Sequence, residues 1–208
     1  ILWRRYMHRV LSDPAILLAG QDEQGAPALR EALSGYMYET RGVHAAADNI
    51  VIGNGVTPLL RILGYILRNK HSRIAVEEPG FRLGREVFRS GGYEIVPLPL
   101  RDDGLDVDAL AQADTGLVYV TPSHQFPTGK VMPVGQRYKL LDWAVQEDGL
   151  IIEDDYDSEL RYEGRPIPAL QGLDRSDRVI YLGALSKVLP FFVRISYLVL
   201  PDPLMDMY

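Results

Sequence analysis

The chain has 208 residues, 47% of them apolar and 24% charged, with no cysteine, which suits one domain with a substantial core or most of a larger one and excludes a disulfide frame or a thiolate metal site. Its formal charge is -6, and the 22 basic residues are scattered rather than blocked, so it carries no electrostatic footprint for nucleic acid and any DNA contact is expected from another segment. The absence of cysteine is compatible with a reducing cytosol, where the chain is expected, and no apolar run reaches the roughly 18 residues of a membrane span, so no membrane partner is expected.

The opening residues, "ILWRRYMHRV", lack an initiator methionine and read as the middle of a helix. "AGQDEQGAP" (Ala19 to Pro27) is the clearest loop, and the helix "ALREALSGYMYETRG" after it closes on Gly42. Helical patterns follow at Pro58 to Asn69, Phe81 to Ser90 and Val134 to Asp148, the last with an apolar face of Leu140, Leu141, Ala144 and Val145. Between several of them lie apolar runs that end abruptly in polar or Gly/Pro-rich residues: "RIAVEEPGF", "TGLVYVTPSHQ", "GLIIEDDYD", "RVIYLGALSK" and "ISYLVLP". Each reads as a buried strand with functional groups at its carboxyl end. The alternation predicts an α/β fold with a mainly parallel sheet flanked by helices, and ligands bind such sheets outside the carboxyl ends of the strands. The last residues, "PDPLMDMY", follow a strand without an evident closing element, so both ends are expected to be cuts in a longer protein.

Three stretches carry chemistry. In "NGVTPLLRIL", Thr57 can cap a helix with Pro58 at its first position, and Gly55 permits a tight turn, so the free amides of Val56 and Thr57 could face an anion; a well-capped helix is the bland alternative. "IIEDDYDSEL" places Glu153, Asp154, Asp155, Asp157 and Glu159 at a strand exit. This is a solvated acidic loop, a magnesium or phosphatase pair from Asp155 and Asp157, or, with Tyr156, a carboxylate and a phenol directed at one ligand. Lys187 stands between two apolar β-branched runs, where an unpaired charge is costly; a surface or ion-paired lysine is the common alternative. In a polar pocket beneath the strands it could be neutralised as a Schiff base with an aldehyde. The aldehyde cofactor that also needs a phosphate cup, a carboxylate for its ring nitrogen and a phenol for its ring hydroxyl is pyridoxal phosphate.

From "GAPALREAL" through "EEPGF", "TPSHQFPTG", "IIEDDYDSELRYEGRPIPALQGLD" and "VIYLGALSK" to "RISYLVLP", nearly the whole chain resembles the aminotransferase-like domain of MocR-type transcriptional regulators, a GntR subfamily. "HQFPTG" and "EDDYDSE" carry that resemblance, since ordinary fold-type I aminotransferases have Asn-Pro-Thr-Gly and a different acidic motif there. The resemblance implies a fold-type I large domain over residues 1–208, without the winged-helix DNA-binding domain or the small carboxyl-terminal domain. It implies Lys187 as the internal-aldimine lysine, Asp154 as partner of the pyridine nitrogen and Tyr156 at the ring 3-hydroxyl. It also implies Phe81 stacked on the ring, Val56 and Thr57 amides on the phosphate, and Arg194 as a charge for it.

Departures accompany the match. Ala184 stands where "GTFSK"-like motifs have a phosphate-holding hydroxyl and Val56 where a small hydroxyl residue is common; Phe126 follows the MocR pattern but replaces the asparagine of general aminotransferases, with His124 and Gln125 as candidate substitutes at the ring hydroxyl or an exposed loop pair as the alternative. Arg82 and Arg85 are candidates for a substrate carboxylate, with helix-surface arginines as the alternative. The implied function is effector sensing in a homodimeric regulator, in which an amino compound displaces Lys187 to form an external aldimine and alters DNA binding by the absent winged helix. The alternative is part of a stand-alone aminotransferase. A chain holding only the cofactor half of the site is expected to bind pyridoxal phosphate weakly and not to turn over.

Overall fold

The structure is a computed structural model, and it describes residues 2–18, 22–157, 168–187, 189 and 193–208. The first three of the loop residues Ala19 to Pro27 lie outside the described residues. So do Ser158 and Glu159 of the acidic motif and the "LRYEGRPI" stretch behind them.

Two helices, α1 (Leu2–Leu11) and α2 (Pro14–Leu18), precede α3 (Pro27–Arg41). Pro27 starts α3, and Gly42 ends it in the left-handed region at φ 68°, where its N–H reaches Tyr38 O while the N–H of Val43 reaches Met37 O. After a 3-10 turn (Ala47–Asn49) the chain alternates β1 (Ile50–Gly53), α4 (Val56–Leu67), β2 (Arg73–Glu78), α5 (Arg82–Ser90) and β3 (Glu94–Arg101). It continues through β4 (Gly104–Leu105), α6 (Val107–Ala111), β5 (Leu117–Val120), α7 (Val134–Gln146), β6 (Leu150–Asp155) and α8 (Leu170–Leu173). The last elements are β7 (Val179–Ala184), β8 (Ser196–Val199) and α9 (Asp202–Met205).

The strands form one sheet in the order β1-β8-β7-β6-β5-β2-β3-β4. The pairs β2·β3, β2·β5, β5·β6 and β6·β7 are parallel, whereas β8 runs antiparallel to both β1 and β7. The mainly parallel α/β sheet read from the sequence is therefore present, with one correction. The carboxyl end of "ISYLVLP" points away from the others, and it is the amino end of β8, at Ser196, that joins the edge where β6 and β7 end. The short strands β1 and β4 and the proline-containing β3 carry too little apolar alternation to stand out in the sequence.

Strand periodicity divides the core between the two faces. On one, Ile74, Val76, Tyr119, Ile152, Ile180, Leu182 and Leu198 pack beneath Leu59, Leu60, Leu63 and Leu67 of α4 and Val87 and Phe88 of α5. On the other, Val118, Val120 and Ile151 meet Leu140, Leu141, Trp143 and Ala144 of α7, while Tyr181, Tyr197 and Val199 meet Leu33 and Met37 of α3. The buried face of α7 thus includes Trp143, and Val145 points to solvent, because the stripe drifts by one residue over its length. Among the described residues no helix is long and apolar enough to cross a membrane.

Leu63 is fully buried where α4 crosses the sheet. Leu63→Ala is expected to lower stability by about 2–4 kcal/mol, read as a reduced urea midpoint with an unchanged slope.

Candidate functional site

The carboxyl ends of β2, β5, β6 and β7, the amino end of β8 and the start of α4 come together at one edge of the sheet. β6 runs straight into the acidic motif, and because side chains alternate along a strand, its carboxylates separate. Glu153 and Asp155 face the α3 and α7 side. Asp155 accepts from Arg41 Nε at 2.8 Å and Tyr181 Oη at 2.6 Å, and Glu153 accepts from the backbone amides of Leu170 and Gln171 at 2.7 and 2.8 Å. Asp154 faces the α4 side, 4% exposed, with Tyr119 donating its phenol to Oδ2. Its Oδ1 is buried without any hydrogen-bond partner.

A carboxylate so placed is costly to ionise. Burial first, and then the charges of Asp155, Glu77 and Asp157, push Asp154 up to about 7, against the lowering effect of the Tyr119 hydrogen bond. Tyr119, itself buried and beside this carboxylate, is raised well above the usual phenol range. The stacked rings of Phe81 and Tyr119, 6.5 Å apart and 18° from parallel, form one wall beside Asp154. Phe126 meets Phe81 edge-on at 6.1 Å and Tyr156 edge-on at 6.3 Å.

Lys187 lies in the turn after β7, not between buried strands: its side chain is 42% exposed, which removes the desolvation conflict that the flanking apolar runs suggest in sequence. The amine is nonetheless placed. Nζ lies 5.0 Å from the centroid of the Tyr156 ring and 3.5 Å from Asp157 Oδ2. Asp157 is buried and also meets His124 Nδ1 at 2.5 Å, and His124 stacks on Tyr156 at 5.9 Å with its Nδ1 3.4 Å from the Tyr156 hydroxyl. Sequence reasoning placed His124 near Tyr156, but put Gln125 there too. Gln125 turns inward instead, donating to Glu77 Oε2 at 3.2 Å and Pro79 O at 2.9 Å.

The start of α4 differs in detail from its sequence reading. α4 begins at Val56, so Gly55 is the N-cap at φ 136°, Pro58 is the third helical residue, and Thr57 makes no side-chain cap. Val56 and Thr57 are then the first two helical residues, whose amides an α-helix leaves without intrahelical partners. A Cβ on Gly55 would come within 3.3 Å of Arg194 Nη2, so the bare glycine lets this guanidinium rest at the helix start. Arg85 is committed elsewhere, to Glu78 at 2.5 Å and to Glu77 O at 3.1 Å, and Arg82 is exposed. Asp155 is taken by Arg41 and Tyr181, and Asp157 by His124 and Lys187. Among the described residues no group of three or more His, Cys, Asp or Glu is arranged to hold a metal ion.

Two contributors escaped the sequence reading. Tyr119 sits inside an apolar run, and only its pairing opposite Ile152 in the parallel register puts its phenol on the Asp154 face. Glu77, 3% exposed, accepts at Oε2 from the Thr121 hydroxyl at 2.7 Å, from its amide, and from Gln125; burial raises it to about 7 despite those bonds. It ties the end of β2 to the loop that carries His124 and Phe126.

The chemistry of the donor set fits pyridoxal phosphate. Asp154 Oδ1, dry and unpaired, lacks the donor that a pyridinium N–H provides. Tyr156 offers a phenol, Phe81 an aromatic face, α4 and Arg194 an anion cup, and Lys187 a primary amine.

The family "Aminotransferase class I and II" matches residues 11–206. An uncharacterized HTH-type transcriptional regulator of Bacillus subtilis, YdeL, is 45% identical over 85% of this chain and 38% of its own length. The probable rhizopine catabolism regulatory protein MocR of Rhizobium meliloti is 40% identical over 88% of this chain and 37% of its own. Among solved structures, LysN, an alpha-aminoadipate aminotransferase of Thermus thermophilus complexed with N-(5'-phosphopyridoxyl)-L-leucine, superposes with a TM-score of 0.85. It is 28% identical, over 98% of this chain and 53% of that one. The chain spans about two fifths of the length of these curated relatives.

Asp154 also fixes a pH dependence. Its folded value, about 7, lies above the roughly 3.9 of an unfolded chain, so the folded state binds the extra proton and stability falls as pH rises through that window. Asp154→Asn, which cannot ionise, is expected to melt a few degrees above wild type at pH 8 without cofactor, with the gap closing at pH 5. Thermal unfolding at both pH values checks this, and Glu77 and Glu153, also raised to about 7, should leave a residual slope of the same sign.

Proposed function

We propose, on the premise that the chain belongs to the class I and II aminotransferase family, that it is the pyridoxal phosphate-binding, effector-sensing domain of a MocR-type transcriptional regulator. Its relatives include regulators of that type, among them MocR itself. The observation that supports the cofactor reading is the buried Asp154 carboxylate with one oxygen unpaired, at the edge of the sheet that also carries Tyr156 and Lys187.

Pyridoxal phosphate, when bound, supplies an aldehyde that condenses reversibly with a primary amine and an electron-poor pyridinium ring. The roles of this chain's residues follow from their chemistry. Lys187 Nζ would be the attacking amine, on a side chain that is 42% exposed. Asp154 accepts the ring-nitrogen proton, and that hydrogen bond stabilises the ionised carboxylate which burial alone disfavours. Tyr156 bonds the ring hydroxyl, with His124 beside it to accept or return that proton. Phe81 covers a ring face, while the Val56 and Thr57 amides and Arg194 hold the phosphate.

With the cofactor held by these residues, an amino compound would act as effector by taking the place of Lys187 at the aldehyde carbon, the proton shed by the incoming ammonium passing to the departing Lys187 amine. The released Lys187 ammonium has a receiver in Asp157, 3.5 Å away in the present arrangement. Whether Lys187 is bonded or free would therefore change its contact with Asp157, and through Asp157 that of His124 and the loop between β5 and α7. In the whole protein, a homodimer, this change reaches DNA through a winged-helix domain.

The likeness to LysN favours one rival, a stand-alone aminotransferase in which the freed Lys187 moves a proton on the substrate carbon. Release of a keto acid from an amino acid by the purified protein would select that reading. For the cofactor itself, the purified protein mixed with pyridoxal phosphate is expected to turn yellow and, after borohydride, to carry the phosphopyridoxyl mass on the peptide containing Lys187. Lys187→Ala should lose both signals; an unchanged spectrum in that variant would remove the assignment.

A further inference from the structure

Ser196 opens β8, between β1 and β7, and its side chain is fully buried with the hydroxyl hydrogen-bonded to nothing. A dry, unpaired hydroxyl is unfavourable, and a buried serine ordinarily relieves this by donating to a nearby carbonyl. Here it does not.

Register says where the hydroxyl lies. Ser196 is opposite Gly53 on one side and Ala184 on the other. Residues directly opposite in a ladder share a face, as do residues two apart along a strand. Leu198 and Leu182, the next pair on that face, belong to the core beneath α4, and a Cβ on Gly53 would lie 2.6 Å from the Leu59 side chain of α4. Ser196 is therefore on the α4 side of the sheet, at the end where β1 leaves Gly53 and turns through Gly55 into the helix. Neither Gly53 nor Ala184 has a polar side chain to answer it. Two residues earlier, Arg194 rests its guanidinium against Gly55. One short segment thus carries a cation against Gly55 and an unpaired hydroxyl across from Gly53, just before the start of α4.

We propose that the Ser196 hydroxyl is a phosphate-binding group of this chain, donating to the same anion as the α4 amides and Arg194, and standing in from β8 for the hydroxyl that Ala184 lacks on β7. The proposal rests on the pyridoxal phosphate reading above and adds a donor to it. A phosphate oxygen at the helix start accepts from a hydroxyl as readily as from an amide, and its charge strengthens the bond. The unpaired hydroxyl then has a purpose that appears only with the anion bound.

The test separates binding from folding. In the purified protein, Ser196→Ala is expected to weaken pyridoxal phosphate roughly tenfold, measured by absorbance titration. Inorganic phosphate, assayed as protection against thermal unfolding, should weaken too, while pyridoxal without its phosphate should be captured as in wild type. Without ligand the variant should melt no lower than wild type, since it has lost an unpaired polar group. Adding Ala184→Ser to Ser196→Ala should recover most of the phosphate-dependent affinity, because that hydroxyl emerges directly across the ladder. Ser196→Ala binding within twofold of wild type, or an affinity loss equal for pyridoxal and pyridoxal phosphate, overturns the proposal. So does a variant that melts well below wild type and is not rescued by Ala184→Ser. Wild-type protein that captures no pyridoxal phosphate overturns the underlying reading as well, an outcome distinct from wild-type capture that Ser196→Ala leaves untouched.

Discussion

Asp154 is held in a place where water cannot reach it and where only one of its two oxygens is answered, and much of this molecule is arranged around that fact. Its strand, β6, is central and buried, so the carboxylate cannot swing out to solvent. Tyr119, locked beside it by the parallel register of β5 and β6, fixes the rotamer by bonding one oxygen and so presents the other. A burial that raises the carboxyl to about 7 is tolerable only if a donor arrives or a proton stays. The site is thus biased toward a ligand that brings its own N–H.

The same strand solves the opposite problem on its other face. Glu153 and Asp155 point toward α3, α7 and α8, and there donors answer them: two backbone amides at the start of α8, Arg41 and Tyr181, with the Arg137 guanidinium 4.0 Å from Glu153. Those carboxylates are structural, tying the helices of that layer to the sheet. Alternation along six residues therefore separates scaffold from site, and the motif that looks like one acidic loop in sequence is two different environments.

Lys187 shows why position along a chain differs from position in space. Between two apolar strands it looks buried, but β7 ends at Ala184 and the amine extends from a turn over the Tyr156 ring. Exposure gives it the freedom that a reversible bond requires, and Asp157 gives it a defined resting place. Asp157 is in turn shared with His124, so the amine, the phenol and the loop before α7 are linked by short contacts rather than by distance alone.

Much of this was legible in the linear text. Apolar runs ending in polar residues announced a mainly parallel sheet, and a lysine between apolar runs, an acidic motif holding a tyrosine and a helix start with free amides suggested a chemistry, whereas Asp154, Phe81 and Arg194 were singled out only by the resemblance to a family. Register was not legible. That Tyr119 bonds Asp154, that β8 runs backwards so that its amino end joins the edge where β7 ends, that Gln125 serves Glu77 and that Ser196 sits unanswered across from Ala184 all depend on which strands lie side by side and in which direction. Those pairings join residues far apart in the chain, as Ile50 of β1 and Val199 of β8 are, and local periodicity carries no record of them; the folded sheet alone decides which groups meet.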